Sequence, residues 1–179
     1  MSQISKHVDW CIKKAIKEIE ECKKLGKRIK HRGLVKIKPD MEEAKKHIKK
    51  AEHNLNAVSK FMETEFSDWS ITAGFYCIYH CFLAIAFKFG YESRNQDCTV
   101  SLIEHLKEEN KINIEQKFID MIKHEDIKER QENNVIEMRE DYTYGIEISI
   151  EDKTKIKDLI KSCKDMIDIA KNIIFEQRG

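Results

Sequence analysis

The chain has 179 residues, 36% of them charged, with 33 Lys and Arg set against 32 Asp and Glu for a net charge of +1. That length suits one domain with a substantial core, and the balanced charge gives no global field for nucleic acid or a membrane surface. One Pro and six Gly leave few breakers, which favours long helices over a sheet-rich fold.

Residues 1–26 are amphipathic and studded with Lys and Glu, unlike a secretory signal. Six Cys in such a chain predict free, structural thiols in a reducing cytoplasm. The first helix is predicted over residues 4–25, with Val8, Cys11, Ile12, Ala15, Ile19 and Cys22 on one stripe and Gly26 as its stop. The stretch GKRIKHRGLVKIKPD follows, a basic connector carrying Lys27, Arg28, Lys30, His31, Arg32, Lys36 and Lys38. It reads as a solvated loop, or as a mobile basic arm that touches phosphate or an acidic partner.

Asp40 with Glu43 forms a capping-box pattern after Pro39, and Met41, Ala44, Ile48, Ala51, Leu55, Val58 and Met62 then make a core seam. His47 and His53 fall off that seam and are expected at the surface. The stretch WSITAGFYCIYHCFLAIAFKF, residues 69–89, has almost no polar face. Thr72, Tyr76, Tyr79 and His80 interrupt it and no second run matches it, so it is read as the central helix of a bundle and not as a membrane span. Ser67 or Asp68 is its expected cap, and Gly90 its end.

A short polar loop, YESRNQDCT, leads to helical patterns at residues 100–108 and 114–122. HEDIKERQENN reads as a kink, hinge or exposed turn. Val135, Met138 and Tyr142 resume helical spacing up to Gly145, and Ser149 with Asp152 suggests a second capping box. The last helix carries the seam Ile156, Leu159, Cys163, Met166, Ala170 and Ile173. No strand signal competes, so the predicted fold is all-α, an up-and-down bundle of five to six helices around the central apolar helix. It is read as one domain over 1–179, with 1–39 as N-terminal helix plus basic connector and 40–179 as the core bundle.

Two polar clusters are candidates for function. Tyr76, Tyr79 and His80 interrupt the central helix, and buried hydroxyls and imidazoles need partners or a cleft. Arg139, Asp141 and Tyr142 cluster near a helix end, where an Arg fork suits phosphate or carboxylate and an Arg–Asp surface pair is the plain alternative. Cys77, His80 and Cys81 lie within about one helical turn but lack the second ligand pair of a zinc site, so no metal and no cofactor is expected. Phosphate loops, dinucleotide fingerprints and hydrolase signatures are missing from the sequence.

Taken together, Tyr76, Tyr79-His80, Gly90, Ser93-Arg94-Asn95 and Arg139-Glu140-Asp141-Tyr142 resemble the HEPN domain (higher eukaryotes and prokaryotes nucleotide-binding), in its small stand-alone prokaryotic and archaeal form. The resemblance implies a cytoplasmic helical bundle that forms a homodimer, often beside a minimal nucleotidyltransferase in a toxin–antitoxin pair. It also implies a ligand-binding set of Arg139, Asp141, Tyr142, Tyr76, Tyr79, His80, Ser93 and Asn95, with Arg139 on nucleotide or RNA phosphate and no membrane association. Many relatives are metal-independent RNases with an Arg-x4-6-His element. Here Tyr144, Gly145 and Ile146 fill the window for the His, and Gln96 stands where the loop of relatives often has His. The expectation is therefore a nucleotide- or RNA-binding protein without an intact Arg-x4-6-His site and without appreciable RNase activity. The alternatives are an RNase toxin with rearranged residues, Arg139 being catalytic, and a structural protein-interaction module.

Overall fold

The computed structural model describes residues 2–123 and 135–175; the HEDIKERQENN stretch, expected as a kink, hinge or turn, lies outside the described residues. Helix α1 spans Gln3–Lys24, α2 Met41–Met62, α3 Trp69–Lys88, α4 Gln96–Glu108, α5 Gln116–Asp120, α6 Val135–Tyr144 and α7 Lys153–Phe175. The all-α expectation holds, with seven helices in place of five or six among the described residues.

The central helix is α3. It buries Ile71, Phe75, Ile78, Phe82 and Ile85 almost completely. Its length and apolarity would suffice to cross a membrane, yet two thirds of its apolar window is covered by the bundle. Helix α2 runs alongside it, with the Ser70 hydroxyl donating to the Val58 carbonyl at 3.2 Å. Helix α7 packs closely at Gly74, where an added Cβ would meet the Leu159 side chain at 2.4 Å. Gly90 ends the helix at φ +78°, and a Cβ there would lie 2.8 Å from the Ile37 carbonyl oxygen.

The caps differ in detail from the expected ones. Asp40 accepts from the amides of Glu42 and Glu43 at 3.1 and 3.0 Å, but Glu43 turns to Lys46 instead of closing a box. Asp68 makes no side-chain cap on α3, and Ser67 accepts from the Ile150 amide at 2.8 Å, fixing the segment before α7. Asp152 alone caps α7, accepting from Thr154 at 3.0 Å; Ser149 takes no part.

Two further corrections follow from long-range contacts. The polar loop after Gly90 is not a loop: β2, Tyr91–Ser93, pairs antiparallel with β1, Leu34–Lys36, in the register Leu34 to Ser93, and α4 then begins at Gln96. This ribbon holds the basic connector against the bundle. His31 is buried beside Glu92, and Arg32 donates its amide to Glu18 and holds its guanidinium in a 3.6 Å ion pair with the same carboxylate. The thiols are also not all free, because α1 against α4 brings Cys11 and Cys98 to a Cα–Cα distance of 5.8 Å and they form a disulfide. Both sulfurs are sealed in the core, and 87 positions of sequence separate them. Cys22, Cys77, Cys81 and Cys163 are free.

Candidate functional site

Helical rotation of 100° per residue puts Trp69, Thr72, Ala73, Tyr76, Tyr79, His80 and Phe87 on one strip of α3. This is the strip that the bundle leaves uncovered: Trp69 is 53% exposed, Tyr76 43%, and the others are half-buried. Helix α6 borders it on one side and α2 on the other. An aromatic floor with two charged or polar walls results.

The α6 wall is built on Arg139. Its guanidinium lies over the Phe75 ring at 4.3 Å, a cation–π contact that fixes the long side chain. The side chain is 19% exposed, and its described carboxylate neighbour, Glu140, stands 3.7 Å away, beyond a good hydrogen bond. The fork therefore keeps donors for a ligand. Phe75 in turn touches Tyr76 edge-on at 5.2 Å and stacks on Tyr79 at 6.0 Å. Thr143 reaches Thr72 at 3.5 Å and closes the wall at the N-terminal end of α3.

The α2 wall is built on a pair of imidazoles. His47 and His80 meet Nδ1 to Nδ1 at 2.9 Å with rings stacked at 5.1 Å, and His47 also stacks on Phe87 at 5.2 Å. Burial, with His47 and Lys50 close by, pushes the His80 pKa down to about 4; burial lowers that of His47 as well, against the pull of Glu43. Both rings are neutral at pH 7. His47 is thus a half-buried partner and not the exposed surface residue that its place off the α2 seam suggested.

The remaining predicted residues divide between this strip and its scaffold. The Tyr79 hydroxyl bonds Thr99 at 3.3 Å, Thr99 bonds Ser93 at 2.7 Å, and Ser93 donates to the Asn95 carbonyl at 3.2 Å. Asn95 caps α4 through the Cys98 amide at 2.9 Å. Ser93 and Asn95 are therefore a hydrogen-bonded support under Tyr79, and burial raises the Tyr79 pKa. Tyr142 packs partly into the core with its pKa raised by burial, while Asp141 is exposed and accepts from the Gly145 amide at 2.8 Å through its carbonyl. Tyr76, Tyr79, His80 and Arg139 share the open face. His47 and Lys50 border that face and Phe75 is buried beneath Arg139, and none of the three stands out in the sequence because each contributes through a neighbour on another turn or helix.

Cys77, Cys81 and Cys163 form a separate buried trio between α3 and α7. The three thiols titrate as one group: contact with Cys163 and then Cys81 lowers the pKa of Cys77, and the same contact together with burial raises those of Cys81 and Cys163. The Cys163 thiol donates to the Gly74 carbonyl at 3.6 Å, and all three sulfurs are closed to solvent. Among the described residues no three His, Cys, Asp or Glu side chains converge for a metal ion.

Compared with known families, the chain matches the HEPN domain over residues 44–173. That span begins in α2 and runs through α7, so it contains the whole open strip and leaves α1 and the connector outside it. No curated protein matches the chain.

Proposed function

This chain belongs to the HEPN domain family, and on that premise we propose that the open strip of α3 binds a nucleotide or RNA strand through its phosphate. The observation that carries this reading is Arg139, held over Phe75 with its fork not satisfied by a close carboxylate, beside the exposed ring of Tyr76. A guanidinium presents parallel donors that match phosphate oxygens, and an exposed aromatic gives a base a surface to stack on. Cytoplasmic residence and work beside a minimal nucleotidyltransferase belong to the same proposal.

A second copy of the chain is proposed as the structural partner. Phe66, Trp69, Tyr144, Ile146 and Ile148 are all exposed near the N-terminal end of α3 and the α6–α7 connection, and a closed two-fold pairing would cover them. Arg139 would then border a cleft between the two copies. The family's Arg-x4-6-His pattern is incomplete here, since Tyr144 stands 81% exposed at the first position open to the His.

The test uses tryptophan fluorescence in a Trp10→Phe background, which leaves Trp69 as the reporter. Titration with a single-stranded RNA oligonucleotide should change Trp69 emission saturably, and inorganic polyphosphate should compete. Binding that leaves Trp69 silent but perturbs Trp10 in the unsubstituted protein would move the site to the N-terminal helix.

A further inference from the structure

The charge of this chain is balanced in sum but not in place. Residues 22–39, from the end of α1 through β1, hold eight Lys and Arg and no Asp or Glu. With +1 overall, those eight leave a net −7 on the remainder. All eight are exposed, and among the described residues only Arg32 stands in an ion pair, with Glu18. The segment is tied to the C-terminal end of α3, where the Ile37 amide donates to the Gly90 carbonyl at 2.9 Å and the Asp40 amide to that of Phe87 at 3.1 Å. Leu25 and Ile29 stand in the open among these cations, 65% and 51% exposed. Leu25, Lys27, Lys30, Arg32 and Arg94 rim a hollow of about 520 Å³, with Glu18 and Glu21 on its α1 side.

The N-terminal end of α3 is the reverse. Residues 61–72 carry Glu63, Glu65 and Asp68, and residues 140–152 carry Glu140, Asp141, Glu147, Glu151 and Asp152; neither stretch holds a Lys or Arg. The Ser67 hydroxyl, accepting from the Ile150 amide at 2.8 Å, ties the two stretches together. Arg139 and the first lysines of α7, Lys153 and Lys155, are the cations next to them in sequence. Tyr144, Ile146 and Ile148 are 81%, 93% and 79% exposed here. The 20 residues of α3 separate the two ends by about 30 Å. At that distance, beyond the reach of a screened charge, neither end can neutralise the other within one chain.

We propose that the basic end of one copy is the docking surface for the acidic end of a second copy, the two lying antiparallel so that a two-fold axis makes the contact twice. This rests on the reading that a second copy is the partner, and it fixes which surfaces meet. Like ends face to face would stack charges of one sign, whereas antiparallel ends neutralise both. The centre of each contact is apolar, Ile146 and Ile148 against Leu25 and Ile29 beside the hollow, and the rim is charged. An RNA strand on the connector would leave the acidic end and its apolar residues uncovered; a second copy covers both ends. Residues 22–39 lie ahead of the span matched to the family, so this surface belongs to this chain's own N-terminal part.

Two triple variants of the full chain test the docking: Lys27→Glu, Arg28→Glu, Lys30→Glu at the basic end, and Glu65→Lys, Glu147→Lys, Glu151→Lys at the acidic end. All six side chains are exposed and none is in an ion pair among the described residues, and circular dichroism checks that each variant folds. In sedimentation velocity each variant alone should show a dimer dissociation constant raised at least about 10-fold. An equimolar mixture should recover dimer, because the mixed pair has one wild-type contact and one contact reversed on both faces. Raising sodium chloride from about 0.05 M to about 0.5 M should weaken the wild-type pair by a similar factor, and this step carries the test if a variant does not fold. A wild-type dimer that neither variant nor salt weakens would overturn this docking and leave the paired reading standing. A wild type that is monomeric throughout would overturn both. A mixture no more associated than its components would also sink the proposal. So would RNA affinity lost in the basic-end variant while its dimer persists, the sign of a strand on the connector.

Discussion

Breaking the bond between Cys11 and Cys98 should weaken the fold more than any single surface change. The cross-link joins α1 to α4 across 87 positions, so in the unfolded chain it closes a long loop. The chain-entropy relation gives about 4–5 kcal/mol for a loop of that size, and native cross-links commonly deliver about 2–5 kcal/mol. For a chain of this length each kcal/mol moves the melting point by about 2–4 °C, so reduction should lower it by roughly 10–15 °C. The assay is thermal unfolding by circular dichroism with and without dithiothreitol, alongside the double variant Cys11→Ser, Cys98→Ser. Thiol titration in denaturant should find four reactive thiols before reduction and six after. Because α1 lies outside the matched span, its release should expose it to protease while α2, α3 and α7 stay folded. Six reactive thiols without reduction, or melting points within about 2 °C of each other, would show that the cross-link is absent or does not stabilise the fold.

Gly74→Ala should destabilise the bundle by about 1–3 kcal/mol in urea unfolding, since the new methyl collides with the Leu159 side chain where α3 and α7 touch. Stability should fall as pH drops from about 6.5, the ordinary imidazole value, towards about 4, because the unfolded chain takes up protons that folded His80 refuses; His80→Gln should flatten that limb of a melting-point profile. Light scattering should give twice the 21.2 kDa chain mass, and Trp69→Glu, placing a charge in the exposed apolar patch, should shift it to monomer.

The helices were legible because each carries its own periodicity. The seams of α2 and α7 and the near-absence of a polar face on α3 follow from the need to bury one stripe or all of a helix. The β1–β2 ribbon was not legible: three residues a side show no alternation, and its paired residues lie 55 to 59 positions apart. The disulfide escaped for the same reason, since spacing along the chain carries no sign of the α1–α4 packing that brings Cys11 to Cys98. Within the site, Tyr76 and Arg139 announced themselves by residue type. Their setting did not, because Phe75 seats Arg139 from another helix and Ser93 and Asn95 prove to be supports. His47 was misread because a position off one helix's seam can still face the edge of its neighbour.

On the proposed reading, Arg139 on the open strip holds phosphate. The direct measurement is fluorescence anisotropy of a labelled 2′-O-methyl RNA at fixed ionic strength, comparing wild type, Arg139→Ala, Lys36→Ala and Lys38→Ala. A charged hydrogen-bonded contact is worth about 1.5–3 kcal/mol, so Arg139→Ala should weaken binding by about 10–100-fold, while each exposed connector lysine, screened by salt, should change it by no more than about two-fold. Equal small losses at all three positions would mean that Arg139 holds no phosphate and leave only a diffuse attraction between a basic surface and a polyanion.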